Sequence, residues 1–243
     1  MVTQVKLNYI NRLLDSCLSD DDTSLEVKAK FIGDEGLEAL MLCKRLESVE
    51  NMDLTKNNLS HRSMPYLANC AYLQSLKRLY IGDNNIADKG AVALAKARFT
   101  SRLVQFDLRA NNIGPVGGLA IVQGDFPRLQ VFVVQDNNVL DETLISLAKS
   151  SSFVNLRKLN FYHTQITDEG IKALAKSKVL KKVKHINLAR NIIRPDAAFA
   201  LSRTKTLLNI ETLLMFDTFI GDAGVKALLE SEGLSKLRTL RLT

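Results

Sequence analysis

Tryptophan is absent from this chain of 243 residues, and aromatic residues make up only 6% of it. Leucine and alanine must therefore do most of the packing. Cysteine occurs three times, as Cys17, Cys43 and Cys70. So low and odd a count excludes a secreted scaffold built on disulfides. No Cys-x-x-Cys pair is present, and no metal site is expected. No apolar run approaches the roughly 18 to 20 residues of a membrane span. The opening stretch MVTQVKLNYINRLLDSCLSDDD does not read as a signal peptide, because polar residues interrupt the apolar ones. A cytoplasmic location is expected. Histidine also occurs three times, as His61, His163 and His185. Neither G-x-S-x-G, H-E-x-x-H nor a phosphate-loop pattern accompanies them. A nucleophile, base and orienting group have no motif to converge in, so no enzyme and no cofactor are expected.

What is present is ordered by repetition. The stretch LKRLYIGDNNIADKGAVALA, residues 76–95, matches LRKLNFYHTQITDEGIKALA, residues 156–175. The shared frame is L-x-x-L-x-L-x-x-N-x-I, followed by Asp, Gly, Leu and Ala at fixed offsets. Its marker position falls at Lys30, Asn57, Asn84, Asn111, Asn137, Thr164, Asn191 and Thr218. Successive intervals are 27 residues, with one of 26 between Asn111 and Asn137. A fixed period of this length means a solenoid.

Each copy has two halves. The first alternates, as with Leu159 and Phe161 against Lys158, Asn160 and Tyr162, and predicts a short strand with one buried face. The second reads TDEGIKALAKS, with Ile171, Leu174 and Ala175 at helical spacing. Asp or Pro stands four places after the marker in most copies, including Asp168, Pro115 and Pro195. Both residue types favour the first turn of a helix, Pro because that amide has no partner and Asp because its charge suits the dipole. Glycine stands six places after the marker in five copies, where a small residue lets the helix start approach its neighbour. The marker Asn is expected to bond backbone groups from copy to copy as a ladder, with Thr doing part of that work. Lys30 cannot, so the first copy reads as a degenerate edge. Cys43 and Cys70 share a small-residue slot thirteen places after the marker and read as reduced, half-buried thiols.

These residues resemble the leucine-rich repeat family, specifically its ribonuclease-inhibitor-like class. The resemblance implies an α/β horseshoe solenoid, with parallel strands on the concave face and helices on the convex face. Residues 1–21 are expected to form an N-terminal capping helix, whose apolar side is Ile10, Leu13, Leu14, Cys17 and Leu18. Residues 22–243 are expected to form about eight repeats of 27 residues and a final partial repeat. Because LRTLRLT stops within a copy, continuation past Thr243 is expected.

The third, fifth, seventh and eighth frame positions point outward from the sheet. Val131 and Val133 expose apolar surface there, as do Leu214 and Phe216. Arg78, Tyr80, Arg109 and Tyr162 are residue types enriched in binding hot spots. Asp107, Lys158, Asn160, His163 and His185 share the face and its rim. The function expected is protein–protein recognition on the concave face, as in a bacterial effector delivered to a host cytoplasm or a cytosolic adaptor. Ran GTPase-activating proteins are similar in architecture, which offers regulation of a small GTPase as an alternative.

Charge supplies a third alternative. Residues 1–121 carry 15 basic and 14 acidic side chains, and residues 122–243 carry 18 and 12. The densest run is Lys172, Lys176, Lys178, Lys181, Lys182 and Lys184, on a helix and the following loop. Nucleic acid or an anionic membrane surface could be drawn there. The run lacks interleaved aromatics and arginines, and a solvated lysine face is the simpler expectation.

Overall fold

The computed structural model describes residues 4–242. Helix α1, Gln4–Cys17, buries Ile10, Leu13 and Leu14. Residues 1–3, and Thr243 at the end of the partial repeat, lie outside the described residues. Strand and helix then alternate: β1 Ser24–Glu26, α2 Gly33–Leu40, β2 Asn51–Asp53, α3 Met64–Asn69, β3 Arg78–Tyr80, α4 Ala87–Leu94. Next come β4 Gln105–Asp107, α5 Pro115–Val122, β5 Val131–Val133, α6 Leu140–Leu147, β6 Lys158–Asn160 and α7 Asp168–Ala175. The last elements are β7 His185–Asn187, α8 Pro195–Ser202, β8 Thr212–Leu214, α9 Gly221–Leu229 and β9 Thr239–Arg241.

Nine parallel strands stand in one sheet in chain order. Their register repeats the sequence period: Ser24 lies beside Asn51, which lies beside Arg78, then Gln105, Val131, Lys158, His185, Thr212 and Thr239. The short interval is absorbed between β4 and β5 with the pairing intact. The middle residue of each strand from β1 to β8 is buried in one continuous core with the apolar side of the helices. Sheet and helices are thus two layers, and the other sheet face is left open. Phenylalanine does more of the packing than a low aromatic content suggests. Phe106, Phe126, Phe153, Phe132 and Phe161 form a chain of ring contacts at 5.7–6.2 Å through copies four to six.

The marker ladder is present. Asn57, Asn111, Asn137 and Asn191 are buried, and each side-chain amide donates back to a carbonyl of the preceding copy. Their oxygens accept amides of that copy in turn, as Asn137 Oδ1 does from Asn111 N at 3.0 Å and Ile113 N at 2.9 Å. The Thr164 and Thr218 hydroxyls bond the strand exit of their own copy, at Phe161 O and Met215 O. Thr164 Oγ1 also lies 3.3 Å from Asn191 Oδ1 of the next copy, and neither hydroxyl bonds the copy before.

Helix starts carry a second connection. Asp34, Asp88, Asp141 and Asp168 lie in the first turn of a helix or its immediate start, yet their carboxylates accept bonds from the next copy. Asp88 Oδ1 accepts Gly114 N at 2.7 Å and Gly117 N at 2.9 Å. Asp141 Oδ1 accepts Thr167 N at 2.8 Å and Gly170 N at 3.1 Å. Each such Asp is an N-cap acting across the repeat boundary. At two of the repeated glycines the same carboxylate is the cause, whereas Gly36, Gly90 and Gly224 make room for apolar side chains. A β-carbon at Gly117 would lie 2.6 Å from Asp88 Oδ1, and one at Gly170 would lie 2.5 Å from Asp141 Oδ1. The second copy departs from this pattern. His61 stands where Asp or Pro is expected, but α3 begins only at Met64, beside Pro65, so His61 precedes the helix.

Candidate functional site

Residues flanking each buried strand centre rise from the open face, which is where the alternation puts them. The face divides into two clusters. Arg78 and Tyr80 on β3 stand with Asp107 and Arg109 at β4. Lys158, Asn160, Tyr162, His163, His185, Leu214 and Phe216 gather on β6 to β8 and the loops leaving them. Val131 and Val133 on β5 lie between the clusters, whose facing strands β4 and β6 are two strand spacings apart, about 10 Å.

In the first cluster the charges satisfy each other. The Arg109 guanidinium pairs with the Asp107 carboxylate through both Nε and Nη2. Gly82 makes this possible, since a β-carbon there would lie 2.7 Å from Arg109 Cγ. Asp107 is buried to 1% exposure, so it is less available to a partner than its position in the frame implies. Arg78 donates to Asn51 Oδ1 at 2.9 Å. The Tyr80 phenol is pushed up by burial first, and further by Asp107 and Asp53, against the pull of Arg78 and Arg109. It stays a neutral donor at any ordinary pH. Val133 differs from the sequence expectation: it is 6% exposed, and only Val131 of that pair is partly exposed. On a nine-stranded sheet the central fifth position is flanked on both sides by neighbouring rows, which covers a side chain as short as valine.

The second cluster is more open. Tyr162, Ala189 and Phe216 occupy the same row in three successive copies. Ala189 is fully buried, and the two rings lean together above it with centroids 6.2 Å apart. The Arg190 guanidinium lies over the Tyr162 ring at 5.7 Å and is fixed by Asp217 Oδ2 at 3.1 Å. The His163 ring meets Tyr162 edge-on at 6.2 Å, and its Nδ1 is 3.0 Å from Asp136 Oδ1. Beside the aromatic pair is a cavity of about 470 Å³ lined by Lys158, Asn160, His185, Asn187, Thr212 and Leu214, with Leu159 and Ile186 as its floor. His185 Nδ1 is 3.1 Å from Thr212 Oγ1, and no carboxylate bonds its ring. An imidazole paired with a hydroxyl but unsupported by an acid is arranged for hydrogen bonding rather than for activating a nucleophile.

Sequence reasoning missed Arg190, Asp136 and Asp217, which brace the aromatic pair. They stand in the eighth frame position, as does His163. All four have left-handed backbone, with φ of 55°, 54°, 54° and 50°. That turn at the strand exit carries the side chains onto the rim of the open face. The eighth position was legible as outward, but nothing in the sequence says that a rim residue reaches a ring in the preceding copy.

The six lysines do not form one patch. Lys172 bonds Glu169, Lys182 bonds Asn155 and Lys184 bonds Glu211. Lys172, Lys176 and Lys178 line a groove of about 630 Å³ between α6 and α7, together with Lys149 and apolar Ile145 and Ala148. Lys181 and Lys182 are exposed on the loop that follows. Burial pushes the Cys43 and Cys70 thiols up, and Cys70 Sγ donates to Met41 O at 3.3 Å. Cys70 thereby does what Ser177, Thr204 and Ser231 do in the same slot, each bonding the end of the preceding helix at 2.6–2.7 Å.

A family model described as Leucine Rich repeat matches residues 72–95, 103–122 and 154–175. These matches and the nine parallel strands alternating with helices make the fold an α/β leucine-rich repeat solenoid. They support a leucine-rich repeat protein, and such repeats serve as protein-interaction modules. No curated protein matches the sequence. No helix among the described residues is long and apolar enough to cross a membrane.

Proposed function

We propose that this chain is a non-catalytic recognition module that binds a partner protein on the open face of its sheet, centred on copies six to eight. The observation that carries this reading is the Tyr162–Phe216 pair. Two large rings stand on the sheet above Ala189, braced by Arg190 and His163, beside a cavity. Aromatic and arginine side chains clustered in this way are what a binding hot spot is made of. Neither side chain belongs to the continuous core, so folding does not require them. An effector or an adaptor could use such a module equally well, in the cytoplasm of its own cell or of a host.

The test is partner capture with Tyr162→Ala and Phe216→Ala combined. Binding should be lost while the melting temperature stays nearly unchanged. Unaltered capture removes this face as the site. The nucleic-acid reading predicts salt-sensitive binding through the lysine run. Three of those six lysines are already bonded to Glu169, Asn155 and Glu211, which weighs against it.

A further inference from the structure

We propose that the cavity between β6 and β8 is a carboxylate-binding subsite, taking an aspartate or glutamate side chain of the partner protein with an apolar neighbour seated on Leu214. The inference rests on the face-binding reading above and adds the chemistry of what is bound.

Three donors around the cavity have nothing to bond. The Lys158 ammonium makes no hydrogen bond or ion pair among the described residues, and the side chain lines the cavity. The Asn187 side-chain oxygen accepts the Ala189 amide at 3.1 Å, which leaves its NH₂ unused. Whichever of the Thr212 hydroxyl and His185 Nδ1 donates across their contact, one further N–H or O–H is left over, on His185 Nε2 or on Thr212, as a third donor. The opposing acceptors are already committed: Asn160 Oδ1 takes the Tyr162 amide at 3.0 Å.

The charge of the face points the same way. The third, fifth and seventh frame positions of copies one to four hold Glu26, Asp53 and Asp107, balanced by Lys28, Arg78 and Arg109. The same positions from β6 to β9 hold no carboxylate, while Lys158, His185 and Arg241 stand there. No carboxylate stands among the residues that line the cavity, and the Lys158 charge there has no counter-ion among the described residues. That charge count selects a carboxylate over a phosphate. A phosphate dianion is recognised by clustered arginines. Of the arginines on the face, Arg109 pairs with Asp107, Arg190 with Asp217 and Arg78 with Asn51, and Arg241, on β9, is not among the residues that line the cavity. Leu214 and the Phe216–Tyr162 wall next to the donors provide the seat for an apolar neighbour of the acid.

The test is an NMR titration of the full chain with acetyl-Gly-Leu-Glu-Leu-Gly-amide, following the His185 ring. The glutamate peptide should shift the His185 signals and raise the pKa of the ring, since a nearby anion favours the imidazolium. The glutamine analogue should bind at least about tenfold more weakly, and Lys158→Ala should weaken the glutamate peptide by roughly the same factor. Lys158 is exposed, so the variant does not endanger folding. Equal binding of the two peptides, no effect of Lys158→Ala, or tighter binding of inorganic phosphate than of the peptide would each overturn the proposal. The captured partner separates this inference from the reading it rests on. If Tyr162→Ala with Phe216→Ala abolishes capture and Lys158→Ala with Asn187→Ala leaves affinity intact, the face stands and the carboxylate subsite falls. If neither pair matters, both fall.

Discussion

Asp141 sits at the start of one helix and works for another. Its carboxylate accepts two amides and the Thr167 hydroxyl of the next copy. Gly170 is the space it needs. Gly170→Ala should therefore destabilise by roughly 1–3 kcal/mol, as overpacking does. In an Asp141→Ala background the penalty should shrink, and a double-mutant cycle by denaturant unfolding should give a coupling above about 0.5 kcal/mol. Additive effects would mean that the glycine serves something else. Asp34 extends the argument to pH. Burial raises its carboxyl, but the Ser60 and Ser63 hydroxyls, the Ser60 amide and Arg62 outweigh it and hold the group below its ordinary 3.8. A depressed folded value contributes stability that is complete above the unfolded value and lost as pH falls through the folded one. Asp34→Asn should flatten the acid limb of stability below about pH 4. Sequence placed these Asp residues in first turns correctly. It could not show the partner, because the bonded amides lie in the next copy and look like any other helix start.

Strands and markers were the most legible elements, because a parallel sheet of identical copies converts the period directly into register. Leu159 is fully buried at the centre of β6. Leu159→Ala should cost roughly 2 to 5 kcal/mol, and a cost near zero would contradict that burial. Loops were less legible, since they follow two patterns. Gly33, Ala87 and Leu140, three places after the marker, have φ of 63°, 50° and 57°, and their amides donate to the next marker's carbonyl. Gly114 and Thr167 hold the same position in extended backbone and donate to the preceding Asp instead. One consensus frame covers both, so reading single copies hides the pairing. The marker column also contains a place for improvement. The Thr164 hydroxyl bonds Phe161 O and Asn191 Oδ1 but offers copy five nothing. Thr164→Asn should complete the ladder and stabilise by about 0.5–1.5 kcal/mol, the net worth of a buried hydrogen bond. A melting temperature that falls would mean that the Asn cannot reach across that boundary.

At the scale of the whole molecule, each copy touches chiefly the copies beside it, so stability is distributed along a line of interfaces. Those interfaces are not equal. The boundary between copies five and six lacks an Asn ladder because its marker is Thr164, yet Phe132 meets Phe153 and Phe161 there at 5.9 and 6.2 Å. Aromatic packing replaces the missing hydrogen bonds. The boundary between copies seven and eight also has a Thr marker, Thr218, but no phenylalanine chain crosses it. Beyond it Leu228 and Leu234 are buried, while Leu229 remains 68% exposed and β9 has a neighbour on one side only among the described residues. A linear array opens first at its weakest interface. Native-state hydrogen exchange should accordingly find β4 to β6 the most protected strands and β8, α9 and β9 the least, with the step falling at Thr218. Uniform protection along the sheet would show that the missing ladder bond carries no weight. The predicted gradient also bears on binding: Phe216 stands at the step and Tyr162 within the protected block. A partner that grips both would tie the loose end to the rigid centre, and should raise protection in copy eight more than anywhere else.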